Sequence, residues 1–301
     1  LVQMINYKLL KQNKIIPKKI SKLNSSYLVE TDSNKYILKN RDKELDKKFD
    51  YLLSRGFNYF PKHTSIGDYD VFNYIKDLDA SKEEKLEELV NLTSLLHTKT
   101  TRYESVDLDD YKEIYEELAQ KIEYLNNYYL ELNDLIDNEI YMSPSHYLLV
   151  YNISKIYSAL SFCREELDNW YELIKNSSKQ RVALVHNNLD ISHVLRNTSP
   201  YLISWSHSKT SSPIDDLLTL YDKYSSNNNF DNLFDIYQKR YPLREEELKL
   251  FFIKISIPDK PEFSLDELEN IRIVKRLFLK LYCGDKLIRP YYEKKWNFIT
   301  L

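Results

Sequence analysis

The sequence predicts an α+β fold, and three observations carry that prediction. Residues 26–31 and 35–39 are short runs rich in β-branched and aromatic side chains, joined by Asp32, Ser33 and Asn34, which is the pattern of a β-hairpin. Long stretches elsewhere, residues 109–137 and 145–174 among them, place apolar side chains at helical spacing. Between residues 182 and 205, three apolar runs are separated by polar His186, Asn187 and Asn188 and by a turn at residues 197–200. That order reads as a hairpin with a loop in front of it.

In chain order, residues 7–15 form a short helix or strand that Pro17 ends, and residues 21–26 make a glycine-free loop into the hairpin. Leu45, Phe49, Leu52 and Leu53 share one helical face within residues 42–55, with Gly56 as the stop. Residues 69–75 read as another strand. Ser81 and Glu84 make a capping box, opening a helix with Leu86, Leu89, Val90, Leu92, Leu95 and Leu96 that ends near His97, a packed or capping histidine. The stretch 109–137 has Tyr111, Ile114, Tyr115, Leu118, Ile122 and Leu125 on one face; 145–174 has Tyr147, Leu148, Tyr151 and Ile156 near its start. Such stripes predict core packing, with the lining of a substrate groove as the other use. Residues 230–237, 245–257 and 265–282 are helical, the last opened by a second capping box at Ser264 and Glu267, and a tail at 291–296 follows.

Composition excludes several classes of function. The chain has 301 residues, 30% of them charged, and a net charge of -3, so it carries neither a nucleic-acid footprint nor a membrane-seeking basic surface. Cys163 and Cys283 suit no disulfide framework or zinc knuckle. No apolar run approaches the ~20 residues that span a bilayer, and the N-terminus lacks a signal-peptide pattern, which together predict a cytoplasmic protein. Three glycines in 301 residues are far fewer than loops pressed against phosphates require.

The stretch 184–205 resembles a motif of the aminoglycoside phosphotransferase and choline kinase superfamily, close to L-x-H-G-D-x-x-x-x-N-V-L with a later strand ending I-D-W. His186 matches the histidine; Val194, Leu195, Ile203 and Trp205 match the scaffold positions. Asn188 stands where that family has its base aspartate, His193 where it has a metal-binding asparagine, and Ser204 where it has a metal-binding aspartate. The resemblance spans most of the chain and implies a two-lobed, protein-kinase-like fold: a small β-rich N-terminal lobe at 1–76 and a large, mainly helical lobe at 77–301. It implies that Lys39 pairs with nucleotide phosphates, whereas by residue type a strand lysine is a solvated edge residue. Residues 21–26 fall where the family has a glycine-bearing phosphate loop. Glu44 or Asp46 would orient Lys39, or else be surface charge. Backbone at Asn73, Tyr74 and Ile75 would meet an adenine. Residues 212–217 look like the family's segment in which Asp216 braces the loop, with Asp215 solvated. The helices ahead of the loop and a turn at Pro258, Asp259 and Lys260 look most like the spore-coat kinase-like branch, a bacterial group.

The substitutions have a chemical meaning. Phosphoryl transfer relies on positioning and on a metal that neutralises phosphate charge. An asparagine at 188 accepts no proton at neutral pH, and Ser204 is a neutral, weak magnesium ligand. Loss of one transition-state stabiliser costs on the order of 10²–10³ in rate. The expectation is a pseudokinase with degenerate positions Asn188, His193 and Ser204 and a nucleotide-pocket remnant of Lys39, Asn73, Tyr74, Ile75 and His186. It would hold no metal or cofactor and would bind another protein, or a small molecule in the interlobe cleft. The alternative is an ATP- and Mg²⁺-dependent kinase phosphorylating an alcohol group of a small molecule, with Asp190, Asp215 or Asp216 as displaced carboxylates. His186, His193 and His207 could instead hold a transition metal. A third reading is an all-helical interaction protein with a chance hairpin.

Overall fold

The computed structural model describes residues 7–23, 26–226 and 229–292. Helix α1 (Tyr7–Gln12) precedes strands β1 (Lys19–Leu23), β2 (Ser26–Glu30) and β3 (Lys35–Asn40), then helix α2 (Leu45–Ser54) and strands β4 (His63–Ile66) and β5 (Tyr69–Asn73). Helix α3 (Lys82–Thr100), strand β6 (Arg102–Ser105), helices α4 (Leu108–Asp137), α5 (Pro144–Tyr151) and α6 (Ile153–Ile174) and strand β7 (Lys179–Val185) follow. Strands β8 (Val194–Arg196), β9 (Pro200–Leu202) and β10 (Lys209–Ser211) then lead into helices α7 (Ile214–Tyr224), α8 (Phe230–Arg240), α9 (Glu245–Ser256) and α10 (Glu267–Tyr292). The fold is α+β, an antiparallel sheet region followed by a mainly helical part. Among the described residues no helix is long and apolar enough to cross a membrane.

The chain divides into two compact units, one drawn from Leu1–Thr100 and His186–Lys209, the other from Thr101–Val185 and Thr210–Leu301. The first unit holds a five-stranded sheet in the order β1-β2-β3-β5-β4, with every described pairing antiparallel. Strand alternation sends Val29, Leu38 and Val71 into a core closed by Leu10 and Ile15. The opposite face carries Lys39, which pairs in register with Asp70, and Ile37, which pairs with Phe72. Helix α2 covers this second face, burying Leu45, Phe49 and Leu52, and the Phe49 ring meets His63 edge-on at 5.1 Å.

The sheet overturns the all-helical reading, since the 26–40 hairpin is its centre rather than an isolated accident. It also corrects the loop expected at residues 21–26. Ser21, Lys22 and Leu23 belong to β1, paired with Leu28, Tyr27 and Ser26, while Asn24 and Ser25 lie outside the described residues. Strand β4 escapes a hydrophobicity reading because Ile66 is its one large apolar residue; the usable signal was the two-residue Gly67–Asp68 connection into β5. Gly67 sits at φ 57°, and a Cβ built there would meet Leu9 Cδ2 at 2.5 Å.

In the second unit α6 packs against both α4 and α9, around fully buried Trp170, Tyr129 and Phe251. Strand β7 is central in a three-stranded sheet, order β10-β7-β6, and Val182, Ala183, Leu184 and Val185 are all buried. Three expectations need correction here. The single helical stretch at 145–174 is two helices, because Asn152 leaves helical geometry at φ -110° and ψ 7° and its Nδ2 donates to the Leu148 carbonyl at 2.9 Å. Ser264 and Glu267 form no capping box: Glu267 instead accepts from Ser145 N at 2.6 Å and from Ser145 Oγ at 3.0 Å, serving the start of α5, and α10 runs on to Tyr292. Tyr147 and Tyr151 are not core residues. Both are exposed, their rings stacked at 6.0 Å, because Ser145 and Leu149 are the α5 positions that turn inward.

Gly67→Ala is expected to lower the unfolding free energy by roughly 1–2 kcal/mol, since a left-handed backbone and a crowded Cβ both oppose it. Gly56→Ala shares the positive φ but has Lys99 Nζ at 3.9 Å as its nearest neighbour, so chemical denaturation should show a smaller loss there.

Candidate functional site

The polar positions singled out in residues 186–204 fold onto one another within the first unit, and the backbone is their main partner. His186 is fully buried, with Nε2 2.8 Å from the Ile203 carbonyl. His193 Nδ1 is 2.7 Å from the Asn188 carbonyl, and Ile203 N donates to the His193 carbonyl at 2.9 Å. A carbonyl can only accept, so the ring nitrogens that face these oxygens carry protons and offer no lone pair to a metal. Asp190 opens a 3-10 turn at Ile191–His193, its Oδ1 accepting from Ser192 N at 2.9 Å and Ser192 Oγ at 2.7 Å. Asn187 at φ 55° and Ser204 at φ 70° are left-handed without being glycine, which asparagine tolerates better than serine.

Trp205 holds the end of this loop. It is buried, its Nε1 donates to the Leu202 carbonyl at 2.7 Å, and its ring lies 5.0 Å from His186, 5.9 Å from Phe57, and 6.2 Å from both Phe49 and Phe60. Phe49 comes from α2, so one indole ties the loop to the helix that covers the sheet. Leu202 N also donates to the Tyr59 carbonyl at 2.8 Å.

Lys39 lies half-buried on the α2-facing side of the sheet, its Nζ 5.9 Å from the centre of the Phe72 ring. Loss of water pushes its ammonium below the ordinary lysine range. Among the described residues no ion-pair partner of Lys39 is found, and the α2 carboxylates go elsewhere. Glu44 pairs with Lys47 Nζ at 3.1 Å, and Asp46 Oδ1 sits 3.0 Å from His63 Nε2. Neither Glu44 nor Asp46 therefore orients Lys39. Asp70, 1% exposed, accepts from Asp42 N and Ser65 Oγ, each at 2.8 Å. The pairing of His63 with Asp46 had no signal in the sequence beyond a lone histidine in a polar strand.

At the end of β5 and just beyond it, Asn73 and Tyr74 are exposed and Ile75 is half-buried. Tyr74 N donates to the Lys35 carbonyl at 3.0 Å, which commits one of the backbone groups expected to meet an adenine. The next residues are clamped to the β8–β9 hairpin: Arg196 N donates to Asp77 Oδ1 at 2.8 Å, Leu78 N to the Arg196 carbonyl at 2.7 Å, and Asn197 Nδ2 to the Lys76 carbonyl at 3.1 Å. Burial opposes ionisation of Asp77, but the Lys85 ammonium and the Arg196 N–H outweigh it and hold the carboxyl below the usual range.

Asp215 and Asp216 belong to the second unit, on the first turn of α7. Asp216 is fully buried; Asp215 is half-buried rather than solvated, accepting from Ser211 Oγ at 2.5 Å. His207 is exposed. Among the described residues no three His, Cys, Asp or Glu side chains form a group able to hold a metal ion. Positions 188, 193 and 204 supply an amide, an imidazole and a hydroxyl, a donor set that does not fit Mg²⁺, which selects charged oxygens.

The fold is that of known phosphotransferases. An aminoglycoside phosphotransferase from Alicyclobacillus acidocaldarius superposes with a TM-score of 0.65 at 11% identity, over 92% of this chain and 92% of that one. AMP-bound spectinomycin phosphotransferase APH(9)-Ia superposes with a TM-score of 0.50 at 12% identity, over 92% and 96%. A choline kinase from Streptococcus pneumoniae gives a TM-score of 0.47 at 14% identity, over 94% and 97%. No protein-family model matches the sequence, and no curated protein sequence matches it.

Trp205→Ala is expected to cost about 3–5 kcal/mol in chemical denaturation, the usual loss for a buried aromatic anchor. Lys39→Met should raise the thermal midpoint at neutral pH. Because the lysine's folded pKa is lowered, the unfolded chain holds that proton more tightly, so the residue costs stability below its folded pKa. The cost lifts as pH rises, and the advantage of the methionine variant should shrink toward pH ~10.

Proposed function

We propose that this chain is a pseudokinase: a kinase-like fold that has given up metal-dependent phosphoryl transfer and acts as a binding, scaffold or regulatory protein. The observation that carries the reading is the state of the loop. By the sequence resemblance, Asn188, His193 and Ser204 stand where transfer needs a base and two metal ligands, and His193 is turned onto the Asn188 carbonyl. Lys39, desolvated and without a carboxylate partner among the described residues, supports a retained preference for an anionic group, held without a metal. The partner is another protein or a small molecule, not a nucleic acid or a membrane, and the protein works in the cytoplasm. The long helices α4 and α6 ahead of β7 favour the spore-coat kinase-like branch.

The alternative, a small-molecule kinase with displaced carboxylates, requires one of Asp190, Asp215 and Asp216 to turn into the site. Asp190 is occupied in capping its own turn, and Asp215 in holding Ser211.

Thermal unfolding with ATP or ADP, each with and without Mg²⁺, separates the two. Ligand that binds only the folded chain raises the midpoint, by about 2.7 kcal/mol in stability at a hundred times Kd. The expected result is no Mg²⁺-dependent rise for the native chain, and a Mg²⁺-dependent rise once Asn188→Asp, His193→Asn and Ser204→Asp are combined. A Mg²⁺-dependent rise in the native chain, accompanied by phosphate transfer that Asp190→Ala abolishes, would establish the kinase instead.

A further inference from the structure

One end of the second unit combines two features that the proposed function does not use. Residues 122–154 contain no Lys or Arg but five acids, Glu123, Glu131, Asp134, Asp137 and Glu139, although the whole chain has a net charge of only -3. The last four of these acids are on the closing turns of α4 and the connection to α5, and all four are exposed. The same end leaves large apolar and aromatic side chains in water: Ile140 is 90% exposed, Tyr141 92%, Tyr151 74% and Tyr147 61%. Glu139 meets His146 Nδ1 at 2.8 Å, which holds the connection carrying Ile140 and Tyr141 against the start of α5, the helix that carries the stacked Tyr147 and Tyr151. Exposed hydrophobics scattered singly need no explanation, but four large ones within a dozen residues of one end, two of them stacked on each other, point to an interaction site.

We propose that this α4–α5 surface docks a basic amphipathic segment of a partner protein. Tyrosine faces attract lysine and arginine cations, and the effect strengthens when the pair is shielded from water. The acidic rim draws such a segment in and fixes its orientation, while Ile140 and the tyrosine rings bury against its apolar side. A second copy of this chain is a poor occupant, because a two-fold pairing would set the same acids against themselves. An anionic lipid surface is repelled for the same reason. The surface uses no residue of the loop at 186–204, so it stands or falls separately from the loss of transfer activity.

The test uses a fluorescein-labelled amphipathic helical peptide made of leucine and lysine, titrated with the full chain by anisotropy, and a matched peptide with glutamate in place of every lysine. The lysine peptide is expected to bind and the glutamate peptide not to bind. Combining Tyr141→Ser, Tyr147→Ser and Tyr151→Ser should weaken binding about tenfold or more, with circular dichroism unchanged because all three side chains are exposed. Asp134→Asn, Asp137→Asn and Glu139→Gln together should weaken it too, and salt at ~0.5 M should do the same to the native chain. Equal binding of both peptides, or affinity unmoved by both sets of substitutions, would overturn the proposal. So would sedimentation showing a dimer that the tyrosine substitutions dissolve, or co-flotation with anionic vesicles that they abolish.

Discussion

The position of the Trp205 ring is the constraint on which the loop from His186 to Ser204 depends. Once the indole is packed among Phe49, Phe57, Phe60 and His186, the two residues before it have little freedom. Ser204 is driven into the left-handed region, and the Ile203 carbonyl is delivered to His186. The Ile203 N–H then reaches the His193 carbonyl, and His193 closes onto Asn188. Each such hydrogen bond contributes only about 0.5–1.5 kcal/mol net, but together with a buried tryptophan they hold the loop in one arrangement.

The same logic applies to charge. A site that manages MgATP needs fixed negative groups to hold the metal and fixed positive groups to hold the phosphates. In the first unit Lys39 is desolvated, and three carboxylates are engaged within the fold. Asp46 serves His63, Asp70 gathers the Asp42 N–H and the Ser65 hydroxyl, and Asp190 caps a turn. A desolvated lysine without a counter-charge is a standing cost.

Much of this was legible in the sequence because it is local. The β2–β3 hairpin, the capping box in which Ser81 Oγ accepts Glu84 N at 3.1 Å, and the β8–β9 hairpin all follow from patterns a few residues long. What stayed hidden depends on distant partners. Strands β4, β6 and β10 are short and largely polar, so they exist as strands only because a neighbour supplies the ladder. Glu267 looked like a cap for its own helix, yet its partner Ser145 is 122 positions away, and only the packing of α5 against α10 joins them. The tyrosine spacing at 147 and 151 was correctly helical, but spacing fixes which residues share a face and not which face is buried.

The central claim is that the loop from His186 to Ser204 no longer holds a divalent ion on a nucleotide. Mn²⁺ substitutes for Mg²⁺ and reports its own environment, so electron paramagnetic resonance of Mn²⁺ with ATP, titrated with the native chain, addresses the claim without any assumption about substrate. The account predicts that the spectrum of free MnATP persists as protein is added. Broadening that saturates at one ion per chain would contradict it, and would mean that carboxylates now engaged in structure turn to the metal when nucleotide is present.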